Sequence, residues 1–259
     1  MWTGSRVILS LFPTGAAVAS GTASIVFSGE IMANSLGIMM LDTTFERPLG
    51  DVGNAGSWPF PVVYKTVKGA SARTIVNGED DAVLLDAFVA AGEELAREGA
   101  CALTTSCGFL VLRQSALASR LTLPVATSSL LQIPQITAFL PAGKKVGVIT
   151  YDFNSLTDRH FREAGVEDIP PVAGLPKGGA FHQLIEGGKP YDREALNNEL
   201  LQTVQDLVDK HPSIGALVFE CTNLPPFSAE ISKRFGLPVF DILTLGRWLH
   251  AGASIGEAR

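Results

Sequence analysis

The chain has 259 residues, of which 46% are hydrophobic and 18% are charged. A chain of this length and apolar content can bury a sizeable core, which excludes an intrinsically disordered chain and a disulfide-stapled miniprotein. The formal net charge is −6 and the sequence contains no basic cluster, so nucleic-acid binding is not expected. The three cysteines form no disulfide framework, and their odd number predicts free thiols in the cytoplasm.

The first 31 residues differ in character from the rest of the sequence. Residues 7–29 contain no charged side chain, so a signal peptide or a membrane anchor has to be considered there. One proline and several glycines in this stretch disfavour a membrane-spanning helix. A strand-like apolar run at 36–41 follows soon after Met32, so we expect the fold to begin near Met32. Residues 1–31 are then an N-terminal extension, and no membrane association is expected.

Short apolar runs alternate with amphipathic stretches along the remaining chain. The two clearest helices, at 80–98 and 191–210, carry apolar residues at every third or fourth position. The predicted elements are, in chain order, strands at 36–41 and 73–76, a helix at 80–98, a strand at 100–104, a helical stretch at 110–120, strands at 123–126 and 145–150, a helix at 191–210, and strands at 214–219 and 238–240. Apolar runs of this length between helices are typical of parallel strands covered on both faces, which predicts an α/β fold.

An internal repeat divides the chain into two similar halves. Residues 102–125 align with residues 216–239 at an offset of 114, with eight identities in 24 positions, where average composition gives about two. We therefore predict two pseudo-symmetric lobes, each a parallel sheet flanked by helices, with the active site in the cleft between them. The predicted first lobe consists of residues 32–130 and 241–259, and the second of residues 131–240.

The repeat places one cysteine at the same position in each half. Cys107 and Cys221 each follow a predicted strand by a few residues, at the start of the next helix. In open α/β sheets, ligands bind at this carboxyl edge of the strands. The backbone N–H groups at a helix start also favour the thiolate form of a cysteine. The third cysteine, Cys101, lies inside a predicted strand and is interpreted as a core residue.

Two thiols that face each other across a cleft suit one kind of chemistry. One ionised thiol can remove a proton from one face of an acidic carbon, while the other, protonated thiol delivers a proton to the opposite face. This reaction needs neither a metal nor an organic cofactor, and none is predicted. The four histidines have no ligand spacing, and the sequence contains neither a P-loop nor a dinucleotide-binding glycine motif.

Three segments of the chain resemble the aspartate/glutamate/hydantoin racemase superfamily. They are LDTTFERPLGDVGN at 41–54, TSCGF at 105–109 and ECTN at 220–223. The resemblance extends from about Leu36 to the C-terminus. It implies cofactor-independent 1,1-proton transfer at the α-carbon of an amino acid or a related acid, in a two-lobed protein that forms a homodimer.

The resemblance also implies roles for individual residues. Cys107 and Cys221 are carried over as the two acid/base catalysts. Thr222 corresponds to the threonine that helps to hold the substrate carboxylate, and Asp42 and Thr43 lie in a segment that lines the site.

The sequence departs from the superfamily pattern beside both cysteines. Many members have Asn-Thr after the first cysteine, where Gly108 and Phe109 stand here, and Glu or His where Asn223 stands. The substrate carboxylate is then expected to be bound by backbone N–H groups around Gly108, or by Thr105 or Ser106.

The long loop after the first strand supplies further candidates for carboxylate binding. Arg47 carries a guanidinium group and Asn54 an amide, and both could hold a substrate carboxylate. Asp51 is interpreted instead as a residue that shapes the loop through turn hydrogen bonds.

Together these patterns predict an isomerase of amino-acid metabolism, namely a racemase or epimerase of an aspartate- or glutamate-like amino acid or a derivative. Its partners would be a small α-acid substrate and a second copy of the chain. A hydantoin racemase, a diacid cis–trans isomerase with a thiol nucleophile, and a malonate-type decarboxylase with one essential thiol are alternatives on the same fold. A non-enzymatic two-lobed binding protein would need neither thiol.

Overall fold

A computed structural model of the protein describes residues 34–76 and 82–254. The described residues belong to one compact unit of strands and helices. The predicted extension at 1–31 and the first two residues of the helix predicted at 80–98 lie outside the described residues. Among the helices that are described, none is both long and apolar enough to cross a membrane.

The described residues form two four-stranded sheets in which every strand pair is parallel. The first sheet contains β1 (Ser35–Leu41), β2 (Val62–Val67), β3 (Ala100–Thr105) and β4 (Val125–Ala126). The second contains β5 (Lys145–Thr150), β6 (Val172–Gly174), β7 (Ile214–Phe219) and β8 (Val239–Phe240). The strand orders, β2-β1-β3-β4 and β6-β5-β7-β8, are equivalent, which confirms the predicted α/β fold with two pseudo-symmetric sheets.

Helices flank both sheets. They are α1 (Ala72–Val76), α2 (Ala82–Arg97), α3 (Gln114–Arg120), α4 (Ile133–Phe139), α5 (Asp158–Glu163), α6 (Ala180–Ile185), α7 (Arg193–Lys210), α8 (Ser228–Phe235) and α9 (Ile242–Ala253). Short 3-10 helices occur at Ala55–Ser57, Gly108–Arg113, Ser129–Gln132 and Pro225–Phe227. All seven residues of β1 are buried beneath this cover, as parallel sheets with helices on both faces require.

The strand predicted at 73–76 is wrong, because this segment forms helix α1. Ser71 and Thr74 exchange side-chain to backbone hydrogen bonds of 3.2 and 3.0 Å, and such reciprocal caps favour the start of a helix. The strand beside β1 is β2, which pairs with it in parallel. Its Val, Tyr and Thr residues favour extended backbone.

Helix α9 returns the chain to the first sheet. The side chain of Asp241 accepts hydrogen bonds of 2.9 Å from the N–H groups of Leu243 and Thr244 and so caps the N-terminus of the helix. The apolar face of α9 packs with Leu36 and Ile38 of β1 in one core cluster.

Hydrogen bonds tie the connection after β4 to the second sheet. The Ser129 hydroxyl donates to the backbone oxygen of Phe219, at the end of β7, over 2.5 Å. The Gln132 amide donates to the backbone oxygen of Asp241 over 3.0 Å. These bonds, of which the first is buried, help to fix the positions of the two sheets relative to each other.

We predict that Ser129→Ala destabilises the fold by about 1–2 kcal/mol, because it removes a buried hydrogen bond between the two sheets. Urea unfolding of the variant and the unmodified protein measures the difference. Equal unfolding midpoints would show that this bond does not help to hold the sheets together.

Candidate active site

The two repeat cysteines lie at the carboxyl ends of the central strands. Cys107 follows β3 by two residues and precedes the 3-10 helix Gly108–Arg113. Cys221 follows β7 by two residues. Both side chains are buried, with 9% and 6% of their surfaces exposed.

Both thiols line one small cavity, here called the inner pocket. Its volume is about 30 Å³, which is room for about one water molecule. Phe45, Phe109 and Tyr151 contribute aromatic rings to its wall. The thiols therefore meet in a small, largely apolar cavity in which both are buried.

A larger cavity adjoins the inner pocket and is called the outer pocket. Its volume is about 670 Å³, and it carries charged groups such as Glu46, Arg73 and Lys189. The two pockets share the wall residues Thr43, Phe45, Ala72 and Ile185. The thiols therefore lie next to the outer pocket, with these four residues common to both walls.

A buried carboxylate, Glu220, lies beside the thiols and is only 1% exposed. Its Oε2 accepts hydrogen bonds from the Thr150 hydroxyl at 2.8 Å and from the Tyr151 N–H at 3.4 Å. Burial raises the pKa of Glu220 to about 7, and these two hydrogen bonds oppose the rise. A fraction of the carboxylate is therefore protonated at neutral pH.

The close approach of Glu220 requires the glycine at 108. A Cβ at Gly108 would lie inside van der Waals contact of both the backbone oxygen and Oε1 of Glu220. The sequence departure after the first cysteine thus has a structural reason, because any side chain there would collide with the carboxylate.

The environment raises the pKa of both thiols. Burial and the charge of Glu220 raise the pKa of Cys107 to about 12, whereas N–H groups of Phe109 and Leu110 oppose the rise. Burial and Glu220 raise the pKa of Cys221 well above its ordinary value, with a single opposing backbone N–H from Asn223. Of the two, Cys107 is the easier to ionise.

A hydrogen-bonded network around Asp51 forms another part of the site. The Asp51 carboxylate accepts from Arg47 at 2.8 Å and from the Asn223 amide at 2.9 Å. It also accepts from the Gly53 N–H at 2.8 Å, so it shapes the loop as predicted. Arg47 lies over the ring of Phe45, with 4.5 Å between the guanidinium carbon and the ring centroid. The network holds a cation in the pocket wall.

Thr222 joins the two cysteine segments directly. Its hydroxyl donates to the backbone oxygen of Ser106 over 2.6 Å, and both groups are buried. The Ser106 hydroxyl in turn accepts from the Leu41 N–H at 2.8 Å. The spacing of Cys107 and Cys221 therefore depends on this bridge.

The structure brings most of the predicted site residues to the inner pocket. Those that line it are Cys107, Cys221, Thr43, Arg47, Ser106, Gly108, Thr222 and Asn223. Asp42, in contrast, lines the outer pocket. Asn54 donates to the backbone oxygen of Arg47 and holds the loop, and the Thr105 hydroxyl donates to the backbone oxygen of Thr127. These three residues do not reach the thiols.

Sequence reasoning assigned no role to Glu220 or Tyr151. A signal for Glu220 was present, since a charged residue stands between an apolar strand and the repeat cysteine. Tyr151 follows the predicted strand at 145–150, at the edge where ligands bind. The described residues contain no group of three or more His, Cys, Asp or Glu side chains that could hold a metal ion.

Curated lyases are similar to the chain in sequence, although no protein-family model matches it. A dimethylsulfoniopropionate lyase of Durusdinium sp. clade D is 30% identical over 216 residues, which cover 81% of this chain and 71% of that protein. Dimethylsulfoniopropionate lyase 3 of Emiliania huxleyi (strain CCMP1516) is 29% identical over 229 residues. The chain matches 57% of the length of the Emiliania protein.

Solved structures of racemases and a decarboxylase share the fold. Unliganded arylmalonate decarboxylase superposes with a TM-score of 0.54 at 16% identity, covering 87% of this chain and 94% of that one. Glutamate racemase of Bacillus anthracis gives 0.56 at 16% identity, covering 86% and 84%. Allantoin racemase of Pseudomonas fluorescens gives 0.54 at 15% identity, covering 86% and 94%. At these identities the likeness shows the fold alone.

These comparisons confirm the predicted superfamily at the level of its fold. Enzymes in both comparisons support an enzyme rather than a non-enzymatic binding protein. They do not confirm an amino-acid racemase, because the curated relatives are lyases. Homodimerisation, a cytoplasmic location and a role in amino-acid metabolism stay predictions.

We predict that Thr222→Val lowers catalytic activity by about 10- to 100-fold, because the two thiols lose the bridge that fixes their spacing. Ser129→Ala is the matched control, since it removes a bond between the sheets without touching a pocket residue. The control should lose stability but keep its turnover number. Similar activity losses in both variants would contradict a specific role of the Thr222 bridge.

We predict that Glu220→Gln removes a pH-dependent penalty from folding. The raised pKa of Glu220 means that its favourable contribution is complete below its ordinary value of 4.5 and is lost as the pH rises through about 7. The variant should therefore gain on the order of 2 kcal/mol relative to the unmodified protein between pH 5 and pH 8.

Urea unfolding of both proteins at the two pH values measures this difference. The buried His160, whose pKa burial lowers to about 4, destabilises both proteins equally as the pH falls, so its effect cancels. A stability gap that does not change with pH would show that Glu220 titrates normally.

Proposed function

The chain belongs to the dimethylsulfoniopropionate lyase family, and we propose that it splits dimethylsulfoniopropionate or a closely similar β-onium carboxylate by elimination. The observation that carries the proposal is the pair of buried thiols, Cys107 and Cys221, in one cavity at the carboxyl ends of β3 and β7. An elimination of this kind needs a base at the carbon next to the carboxylate, and a thiolate can serve as that base.

The proposed reaction balances without a cofactor. A thiolate removes one proton from C2 of the substrate, and that electron pair forms the double bond between C2 and C3. The bond from C3 to sulfur breaks, and its electron pair leaves with dimethyl sulfide. The products are dimethyl sulfide, acrylate and a protonated thiol, which returns its proton to solvent.

Cys107 is the better candidate for the base. Two backbone N–H groups, from Phe109 and Leu110, stabilise its thiolate, whereas Cys221 has one, from Asn223. The charge of Glu220 acts on both thiols, and that of Asp51 raises the pKa of Cys221 further. We therefore assign the proton transfer to Cys107 and the role of a neutral thiol donor in the same pocket to Cys221.

The substrate carboxylate has a matching cation in the pocket wall. Arg47 lines the inner pocket, only 13% of its side chain is exposed, and Thr43 accepts a hydrogen bond of 2.9 Å from it. A guanidinium at the carboxylate favours removal of the C2 proton, because it stabilises the charge that develops there. Asn223 and Thr222 lie in the same wall.

Binding requires the wall between the two pockets to move. The inner pocket has room for about one water molecule, so the substrate has to displace side chains that both pockets share. Phe45 and Ile185 are the largest of these. Their return behind the substrate would exclude water from the thiols.

A racemase or epimerase of an α-acid is the second candidate. It would transfer protons between Cys107 and Cys221 at one carbon, and the observation in its favour is that equivalent strands carry both thiols to one cavity. Elimination differs from this reaction in needing a leaving group at the β-carbon.

The test uses NMR in D₂O with dimethylsulfoniopropionate and, separately, with aspartate and glutamate. We expect acrylate and dimethyl sulfide from the sulfonium compound, with no deuterium at the α-carbon of either amino acid. Cys107→Ala should lower kcat/KM by about 10²- to 10⁴-fold, the usual contribution of a general base. The loss in Cys221→Ala should be smaller.

Cys101→Ala is the matched control, because Cys101 lies in β3 outside the inner pocket and should keep full activity. No acrylate from the unmodified enzyme would overturn the proposed lyase. Deuterium uptake into an amino acid, lost in both thiol variants, would establish the racemase in its place.

A further inference from the structure

The two oxygens of the Glu220 carboxylate differ in their hydrogen bonding. Oε2 accepts hydrogen bonds from Thr150 and from the backbone of Tyr151. Among the described residues, nothing donates a hydrogen bond to the buried Oε1. That oxygen lies against Gly108, which is itself a wall residue of the inner pocket.

The pocket provides no cation for this carboxylate. Of the charged residues in the described wall of the inner pocket, Arg47 alone is positive, and it is ion-paired with Asp51 at 2.8 Å. Burial of an ionised carboxylate without a counter-charge is costly, and the raised pKa of Glu220 reflects that cost. A ligand that supplies a positive charge would favour the ionised form.

The surrounding rings suit a methylated cation. Phe45, Phe109 and Tyr151 line the same cavity as Glu220. Onium groups carry their charge on methyl groups and bind against aromatic faces, whereas a primary ammonium needs hydrogen-bond acceptors. Phe109 stands beside Cys107, where a polar side chain would favour an amino-acid substrate.

We propose that Glu220 is a specificity-determining residue that binds the onium group of the substrate, so that the site selects β-onium carboxylates over neutral and anionic acids of the same shape. This inference rests on the proposed lyase function for the identity of the onium compound. Arg47 and Glu220 then hold the two ends of a zwitterion, with the carbon that loses its proton between them.

The pairing also links binding to ionisation of the base. The charge of Glu220 contributes to the raised pKa of both Cys107 and Cys221. A bound onium group offsets that negative charge, so the thiol pKa falls when substrate binds. The thiolate is therefore favoured only in the complex.

The test compares two ligands of equal shape that differ by one charge. They are 3-(trimethylammonio)propionate, whose trimethylammonium end is positively charged, and 4,4-dimethylpentanoate, which has an uncharged tert-butyl group at that end. Both keep the carboxylate. Calorimetry should show that the unmodified protein binds the onium ligand about 10- to 100-fold more tightly. Glu220→Gln should bind both ligands within about threefold of each other.

Glu186→Gln is the matched control for the loss of a carboxylate. Glu186 lines the outer pocket and accepts a hydrogen bond of 2.7 Å from the Tyr151 hydroxyl. Its substitution therefore removes a carboxylate that is near the inner pocket but does not line it. This control should keep the preference for the onium ligand. Loss of the preference in the control alone would overturn the assignment to Glu220.

The pH dependence tests the same inference. The preference for the onium ligand should fall as the pH drops below about 7, where Glu220 becomes protonated. The thiols of Cys107 and Cys221 and the Tyr151 hydroxyl line the same pocket, and their raised pKa values keep them neutral there. His182 stacks on the Tyr151 ring and Glu186 accepts from its hydroxyl, so Glu220→Gln is titrated beside the unmodified protein to subtract their effect. Asp51, the remaining carboxylate nearby, is paired with Arg47.

The outcomes separate this inference from the proposed function. An onium preference that survives in Glu220→Gln overturns the role of Glu220, even if the enzyme releases dimethyl sulfide. A preference that disappears in Glu220→Gln supports that role, even if dimethylsulfoniopropionate is not split and the lyase proposal fails. Equal binding of the two ligands to the unmodified protein overturns the inference.

Discussion

The site depends on one electrostatic constraint, which is that a carboxylate and two thiols share a cavity with room for about one water molecule. In such a cavity the charged form of each group costs free energy, and the pKa of Glu220, Cys107 and Cys221 rises as a result. The Thr150 hydroxyl offsets part of this cost by donating a hydrogen bond to Glu220. Gly108, which has no side chain, leaves room for the carboxylate. The oxygen that the fold leaves without a donor is the one to which we assign the cation of the ligand.

The sequence predicts the framework of this site well because the framework is local. Strand patterns and the internal repeat place Cys107 and Cys221 at equivalent strand ends, and the structure has them there. The hydrogen-bond partners of polar side chains are harder to predict from the sequence, because tertiary packing determines them. Asn54 and Thr105 were predicted to bind the substrate, but in the structure their side chains donate hydrogen bonds to backbone oxygens. The position of Glu220 between a strand and Cys221 is visible in the sequence. Its contact with Gly108, however, depends on how the two sheets pack against each other.

The cavity around the thiols is the part of this site that favours the proposed lyase over a racemase. Proton transfer at an α-carbon needs a thiolate in either case. Phe109 follows Gly108 beside the first thiol, and this pair gives the pocket an aromatic wall in place of two polar side chains. Such a wall is poorly suited to the ammonium group of an amino acid and well suited to a methylated cation.

In the proposed reaction, the burial of the thiols has two opposite effects on their ionisation. Exclusion of water makes each thiol hard to ionise, but it also strengthens every charge that a ligand brings with it. A cation between Glu220 and the thiols therefore changes their ionisation far more than it would in an open cleft. Phe45 and Ile185 line both the inner and the outer pocket. In the proposed reaction, the side chains that admit the substrate therefore also determine when this field acts on the thiols. In the proposed reaction, the base is thus activated by the molecule that it deprotonates.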